Sequence, residues 1–379
     1  MSGLLRSRPA TTQAMLAAFS DAATLRHALA FEAELARAEA AEGLIGPESA
    51  EAIAALCARI VIDPAALAEE TTLAGTLAIP LVARLRAALP KAAAAVLHKG
   101  ATSQDVADSV LACQIRAASA LLDSDLARTA TALAALAQRH AATPAIGRTL
   151  LQDALPIGLG LRLAQWQAGI VEAAERLRHE VETGATLQFG GAAGSRAGLD
   201  GKGAAVSARL AAALDLPDAP PWHARRGGIA GIAAALAIAI GALGKMARDV
   251  SLLAQNGIGE AREPAIPGRG GSSAMAHKRN PTGCQIALSA ALRAPGLVAG
   301  ILAGLPAEQE RGLGGWQAEG PALAELFLLA GGAAEAMATV AEGLEIDEAA
   351  IARNLAAAGL GSDIGESPAL VAALLARQD

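Results

Sequence analysis

The side chains that could do chemistry fall into three polar stretches. The first, Arg269 to Gln285, reads RGGSSAMAHKRNPTGCQ. It sets two adjacent hydroxyls, Ser272 and Ser273, beside a glycine pair, followed by Met275, His277, Lys278, Arg279, Asn280 and Pro281. Polar, opened by glycine and closed by proline between alanine-rich flanks, it predicts a loop held between helices. Such a loop suits an anion. Glycine-exposed N–H groups can hold a carboxylate, Lys278 and Arg279 supply charge, and a serine whose pKa they lower can transfer a proton. The second stretch, His98 to Asp108 (HKGATSQDVAD), places Thr102, Ser103, Gln104 and Asp105 directly before the apolar-periodic run of Val106, Val110, Leu111 and Ile115. Hydroxyls and helix N-terminal amides would there converge on one anion. The third, Gly147 to Gly160 (GRTLLQDALPIGLG), carries Arg148, Thr149, Gln152 and Asp153, interrupted by Pro156 and glycines, and predicts a kinked helix junction. On residue types alone, a solvated turn, an ordinary helix cap and a plain kink remain open for the three.

These stretches need a scaffold, and the composition predicts an all-α one. Of 379 residues 53% are hydrophobic and only 2% aromatic, with no tyrosine. Alanine and leucine dominate, which favours helices that approach closely. An amphipathic helix is expected from Asp21 to Ala41 on Leu25, Leu29 and Leu35, another from Glu48 to Ile60, and a third started by Asp63 and Pro64. A short helix should follow Pro80, and long ones should cover Val106 to His140, Leu161 to Glu182, Ile286 to Leu305 and Leu323 to Leu344. The expected organisation is an N-terminal helical domain over 1–105, a central long-helix bundle over 106–345 and a short C-terminal helical segment over 346–379.

Other features exclude functions. The net charge of −6 gives no support to nucleic-acid binding. Cys57, Cys113 and Cys284 are odd in number and far apart, against a disulfide framework or a thiolate metal site. No signal-peptide pattern opens the sequence, so a cytoplasmic setting is expected. The uncharged stretch Gly227 to Gly244 is long enough for a membrane span, but it is mostly alanine and glycine and runs into Lys245, Arg248 and Asp249 at helical spacing, as a bundle helix does. Gly190 to Gly203 is glycine-rich but lacks the preceding strand and the later acidic residue of a dinucleotide fingerprint, which argues against a bound dinucleotide. Trp222, His223, Arg225 and Arg226 read as a helix start with surface arginines.

In their order, the three polar stretches resemble the signature regions of the fumarase/aspartase superfamily. The loop matches GSSxMPxKxNP at each fixed position except Ala276, where the family has proline, and the second stretch matches HxGxTSxD in full. The third resembles GRT(L/W)LQHA but has Asp153 at the histidine regarded as general acid or base. The resemblance runs from Ala17 to Glu345 and implies a helical homotetramer, each site built from three chains, that makes or breaks a bond beta to a carboxylate. Carried over by position, it implies Ser272 as catalytic base and Asp153 at the second catalytic position. It further implies His98, Thr102, Ser103, Arg148, Thr149, Gln152, Ser273, Met275, Lys278 and Asn280 as substrate contacts.

Within that superfamily, ATSQDV, GRTLLQ, the PWH at 221–223, GKMARDVSLLAQ and ERGLGGWQAE resemble a cycloisomerase branch of protocatechuate (β-ketoadipate) breakdown. That branch interconverts 3-carboxy-cis,cis-muconate and 4-carboxymuconolactone, which implies a small tricarboxylate substrate and no metal or organic cofactor. Asp153 bears on the choice of branch. A leaving nitrogen must be protonated, whereas a carboxylate, with a pKa of about 4, can leave or attack without a proton. The alternatives are a lyase that releases fumarate from a succinyl adduct, similar to adenylosuccinate lyase, and a catalytically silent helical homologue.

Overall fold

The computed structural model describes residues 4–275 and 278–376. Ala276, at the family's proline position, and His277 lie outside the described residues. The chain is built on helices, and the longest, Ser103–Arg139, runs for 37 residues. Against it pack Leu159–Gly184 and Gly315–Glu342, while Gly227–Leu253 packs on both of these and on Thr282–Ala303. Ile115, Leu122, Leu126 and Leu133 recur along the buried face of the longest helix and are almost fully enclosed. Each such side chain contributes about 1.5–3 kcal/mol by leaving water.

Small residues set the closeness of the packing. Gly332 lies inside Gly315–Glu342, where the N-terminal segment crosses it, and a methyl group there would collide with the Ala10 carbonyl. Among the described residues, three helices are long and apolar enough to cross a membrane: Gly227–Leu253, Thr282–Ala303 and Gly315–Glu342. In the first and third, 56% and 72% of the most apolar window is buried inside the molecule, and in Thr282–Ala303 only 22%. The sequence singled out only the first of these.

The N-terminal helices follow their expected bounds closely. Ser20 caps Asp21–Ala41 by accepting from the Ala23 N–H at 3.2 Å, and this helix packs on Pro47–Arg59. Asp63 caps Pro64–Ala74 by accepting from Ala65 and Ala66.

The third polar stretch departs from expectation. It is not a kinked helix junction but an antiparallel hairpin of Pro144–Thr149 with Gln152–Gly158. Leu150 and Leu151 form its two-residue turn with φ of 52° and 64°. That geometry normally takes Asn-Gly or Gly-Gly, so two leucines gave no turn signal. The strand Arg148 pairs with Asp153 in register.

Burial also leaves two acids on one face of Asp21–Ala41. Glu32 and Glu39 are each 1% exposed, and Glu32 Oε2 and Glu39 Oε1 have no hydrogen-bond partner among the described residues. Burial first, and then the Glu32 charge, push Glu39 up to about 8 against the pull of Lys99. Because Glu39 holds its proton more tightly in the folded chain than in the unfolded one, stability falls as pH rises from the ordinary value of 4.5 through about 8. Glu39→Gln is therefore expected to be more stable than wild type at pH 9 and to differ little at pH 5, as read by urea denaturation at the two pH values.

Candidate active site

One end of the long helix gathers the second polar stretch. Thr102 precedes Ser103–Arg139, and its N–H donates to Asp105 Oδ2 at 2.9 Å. Asp105 is fully buried and accepts three further hydrogen bonds, from the N–H groups of Gly190 (3.0 Å) and Gly191 (2.9 Å) and from His223 Nε2 (2.7 Å). The glycine-rich segment, which the resemblance implies to be a flexible connection, is thereby tied to the helix start. Gly191 has φ of 71°, and a side chain on it would strike the Gly100 carbonyl. The Thr102 hydroxyl accepts from Arg311 at 2.6 Å, while Ser103 opens the helix half-buried.

His98, four residues before Thr102, sits at φ 62° with its Nδ1 2.7 Å from Glu32 Oε1. Burial works against its charge, but the hydrogen bond and charge of Glu32 prevail and raise its pKa above the ordinary value. Below this layer, Arg226 corrects the expectation of a surface arginine. It is 2% exposed, makes two-pronged contacts with Asp108 (2.7 and 2.9 Å) and Glu319 (2.6 and 2.9 Å), and stacks over Trp222. Burial raises Glu319 above its usual range even with Arg226 beside it. A buried guanidinium is tolerated only with such full pairing. Arg225, one residue earlier, is exposed as expected.

The hairpin lies at the other end of the same helix. Arg148 donates to both oxygens of Glu260, at 2.9 and 2.6 Å, and through Nε to Asp153 at 3.2 Å. The Glu260 hydrogen bonds hold the Arg148 guanidinium above its ordinary pKa. Glu260 resists its own burial because Arg148 and Asn354 both donate to it, and its pKa falls below the usual value. Asp153 keeps 53% of its side chain exposed, and Thr149 and Gln152 flank the turn, both exposed.

The signature loop joins this end through Glu263 and Glu345. Glu263 accepts from the N–H groups of Gly283 (3.0 Å) and Cys284 (2.6 Å), capping Thr282–Ala303, and Arg279 pairs with Glu345 at 3.1 Å. The loop closes at its stem, where Asn280 N–H donates to the Gly270 carbonyl at 2.8 Å and Asn280 Nδ2 to the Gly271 carbonyl at 3.2 Å. Gly270 has φ of 73°, and a side chain there would meet the Asn280 carbonyl. Within the ring, Ser272 Oγ accepts from the N–H groups of Ala274 (3.3 Å) and Met275 (3.1 Å). Two N–H donors on an oxygen favour its anionic form. Ser273, Met275 and Lys278 are exposed around it.

Two groups of expected site residues therefore stand apart. Thr102 and Arg148 lie beyond opposite ends of a 37-residue helix, which at 1.5 Å per residue is roughly 55 Å long. His98, Thr102 and Ser103 occupy one end. Arg148, Thr149, Gln152, Asp153, Ser272, Ser273, Met275, Lys278 and Asn280 occupy the other. Sequence reading missed Glu32, Glu260 and Glu263, acids in ordinary-looking surroundings that reveal themselves only by what they touch. Among the described residues, no three His, Cys, Asp or Glu side chains gather as a metal site.

Known proteins resemble this arrangement closely. A lyase family model matches residues 8–296. The chain is 48% identical to 3-carboxy-cis,cis-muconate cycloisomerase of Bradyrhizobium diazoefficiens, over 91% of this chain and 77% of that one. It is 39% identical to nitrosuccinate lyase of Streptomyces davaonensis, over 98% of this chain and 80% of the relative. Its fold superposes on the crystal structure of 3-carboxy-cis,cis-muconate lactonizing enzyme from Pseudomonas putida with a TM-score of 0.87 and 38% identity, covering 99% of this chain and 87% of that one. With the signature regions held as described, the chain belongs to the lyase family of the fumarase/aspartase superfamily.

Proposed function

We propose that the chain is a 3-carboxy-cis,cis-muconate cycloisomerase that interconverts its substrate with 4-carboxymuconolactone in protocatechuate breakdown. The likeness to the Bradyrhizobium enzyme over nine-tenths of the chain carries this reading. In the lactonising direction, one substrate carboxylate oxygen adds to the carbon beta to another carboxyl group. The electron pair of the double bond moves toward that carboxyl, and Ser272 Oγ delivers a proton to the alpha carbon. Ring closure converts a carboxylate to an ester, so the substrate loses one negative charge and the serine recovers a proton from solvent. Lys278, Asn280, Thr102, Ser103 and the loop amides stabilise the charge that develops, with His98 and Arg148 as further cationic or donor groups. Thr149, Gln152, Ser273 and Met275 complete the surface against the substrate.

Asp153 fits this chemistry as the partner of Arg148. A departing carboxylate needs no proton, so the position does not require an acid. Elimination from a succinate derivative is a second reading, favoured by the likeness to nitrosuccinate lyase over almost the whole chain.

The roughly 55 Å of helix between the two groups supports a site completed by other copies, and we take the assembly as a cytoplasmic homotetramer with three chains at each site. Two apolar surfaces agree with burial between copies: the largely uncovered Thr282–Ala303 helix, and the hairpin with Leu150 95%, Leu151 76% and Leu155 77% exposed.

Purified wild type is expected to bleach the ultraviolet absorbance of 3-carboxy-cis,cis-muconate, and Ser272→Ala to lose about 100-fold or more in kcat. Unchanged absorbance in both, with fumarate released from a succinyl adduct, selects the lyase reading. Silence in both assays selects a non-catalytic homologue. Asp153→Asn is expected to keep kcat within about tenfold, because no proton transfer is asked of that position. Co-expressed Ser272→Ala and His98→Gln chains are expected to recover activity that neither homo-oligomer has, whereas a site within one chain gives no recovery.

A further inference from the structure

The strained backbone at His98 has a buried acid behind it. A non-glycine residue at φ 62° persists only where its surroundings impose that conformation. The turn holds Nδ1 2.7 Å from Glu32 Oε1, on a side chain with no exposed surface. On the far side, Nε2 has no partner among the described residues, and 16% of the His98 side chain remains exposed. Imidazole is thus fixed by one nitrogen and open at the other.

The charges around the pair decide which form it takes. Glu32 and the more distant Asp105 favour imidazolium, while burial and Arg86 oppose it. Behind Glu32, Glu39 is pushed up to about 8 and so is largely uncharged near neutrality, and Lys99 donates to the Leu44 carbonyl at 3.0 Å. Cys57, also facing this acid, is pushed up to about 12 and stays protonated. Glu32 is the acid in this layer that is hydrogen-bonded to His98.

We propose that Glu32 is a positioning residue, whose buried carboxylate holds His98 as an imidazolium with Nε2–H presented to a substrate carboxylate. The identity of that carboxylate rests on the cycloisomerase reading; the state of the imidazole does not. Glu32 Oε2 has no hydrogen-bond partner among the described residues, so the partner of this carboxyl group there is His98. A purely structural acid would be as well served by a neutral amide, which hydrogen-bonds to neutral imidazole.

The test is an NMR titration of histidine-labelled protein, with the His98 signal identified by its loss in His98→Gln. In wild type, His98 is expected to titrate above the ordinary 6.5, and in Glu32→Gln below its wild-type value. KM for 3-carboxy-cis,cis-muconate, read at a pH between the His98 titration midpoints of variant and wild type, is expected to rise about tenfold in Glu32→Gln, the scale of one charge-assisted hydrogen bond, with kcat less affected. A wild-type His98 that titrates at or below 6.5, or a Glu32→Gln protein with an unmoved His98 titration and KM, overturns the proposal. The wild-type titration decides it even if the variant fails to fold. If wild type has no activity on the muconate, the cycloisomerase reading fails while the titration still judges the pair.

Discussion

The buried carboxylate of Asp105 holds together three segments that are remote in sequence. It takes donors from Thr102, from Gly190 and Gly191, and from His223, so the start of the longest helix, the glycine-rich segment and the approach to Gly227–Leu253 meet on one side chain. A carboxylate with no access to water is costly unless each lone pair is met, and four donors meet it here. One turn further along the helix, Asp108 repeats the device with donors from Arg226, Gln104 and Gln188. These two acids convert a helix start into a fixed platform for Thr102 and Ser103.

The opposite end uses the same physics with the signs reversed. Arg148 and Arg279 are held by Glu260 and Glu345, and Glu263 occupies the helix N-terminus that follows the loop. The serine loop is thus closed at its stem by the hydrogen bonds of Asn280 and anchored by acids below it, with Ser272 and Lys278 free of ion pairs among the described residues. Local order without local neutralisation is what an anion site requires. The length of one helix keeps the two ends apart within the chain.

Much of the scaffold was legible from periodicity and caps. The Asp21–Ala41 helix, the Asp63 cap and the long central helices follow from apolar spacing and punctuation, which act over a few residues. The hairpin at Pro144–Gly158 was not, because its turn is two leucines forced to positive φ rather than the glycine or asparagine that announces such a turn. Its strands are also held by contacts distant in sequence, with Ser367 Oγ accepting from the Gly158 N–H and Glu260 holding Arg148. The burial of Arg226 was equally hidden, since a basic residue beside another basic residue looks solvated until two acids, 118 and 93 positions away, close on it.

The sequence by itself determined the all-α class, most helix bounds and the order of the three polar stretches, because helix propensity, caps and motifs are properties of neighbouring residues. Only the tertiary structure decided which acids stand behind His98, Arg148 and Arg279, that the glycine-rich segment is tied down, and that the polar stretches divide between two ends of the bundle. Ion pairing and burial depend on groups far apart along the chain, and a carboxylate in a sequence carries no mark of the partner that folding will bring to it.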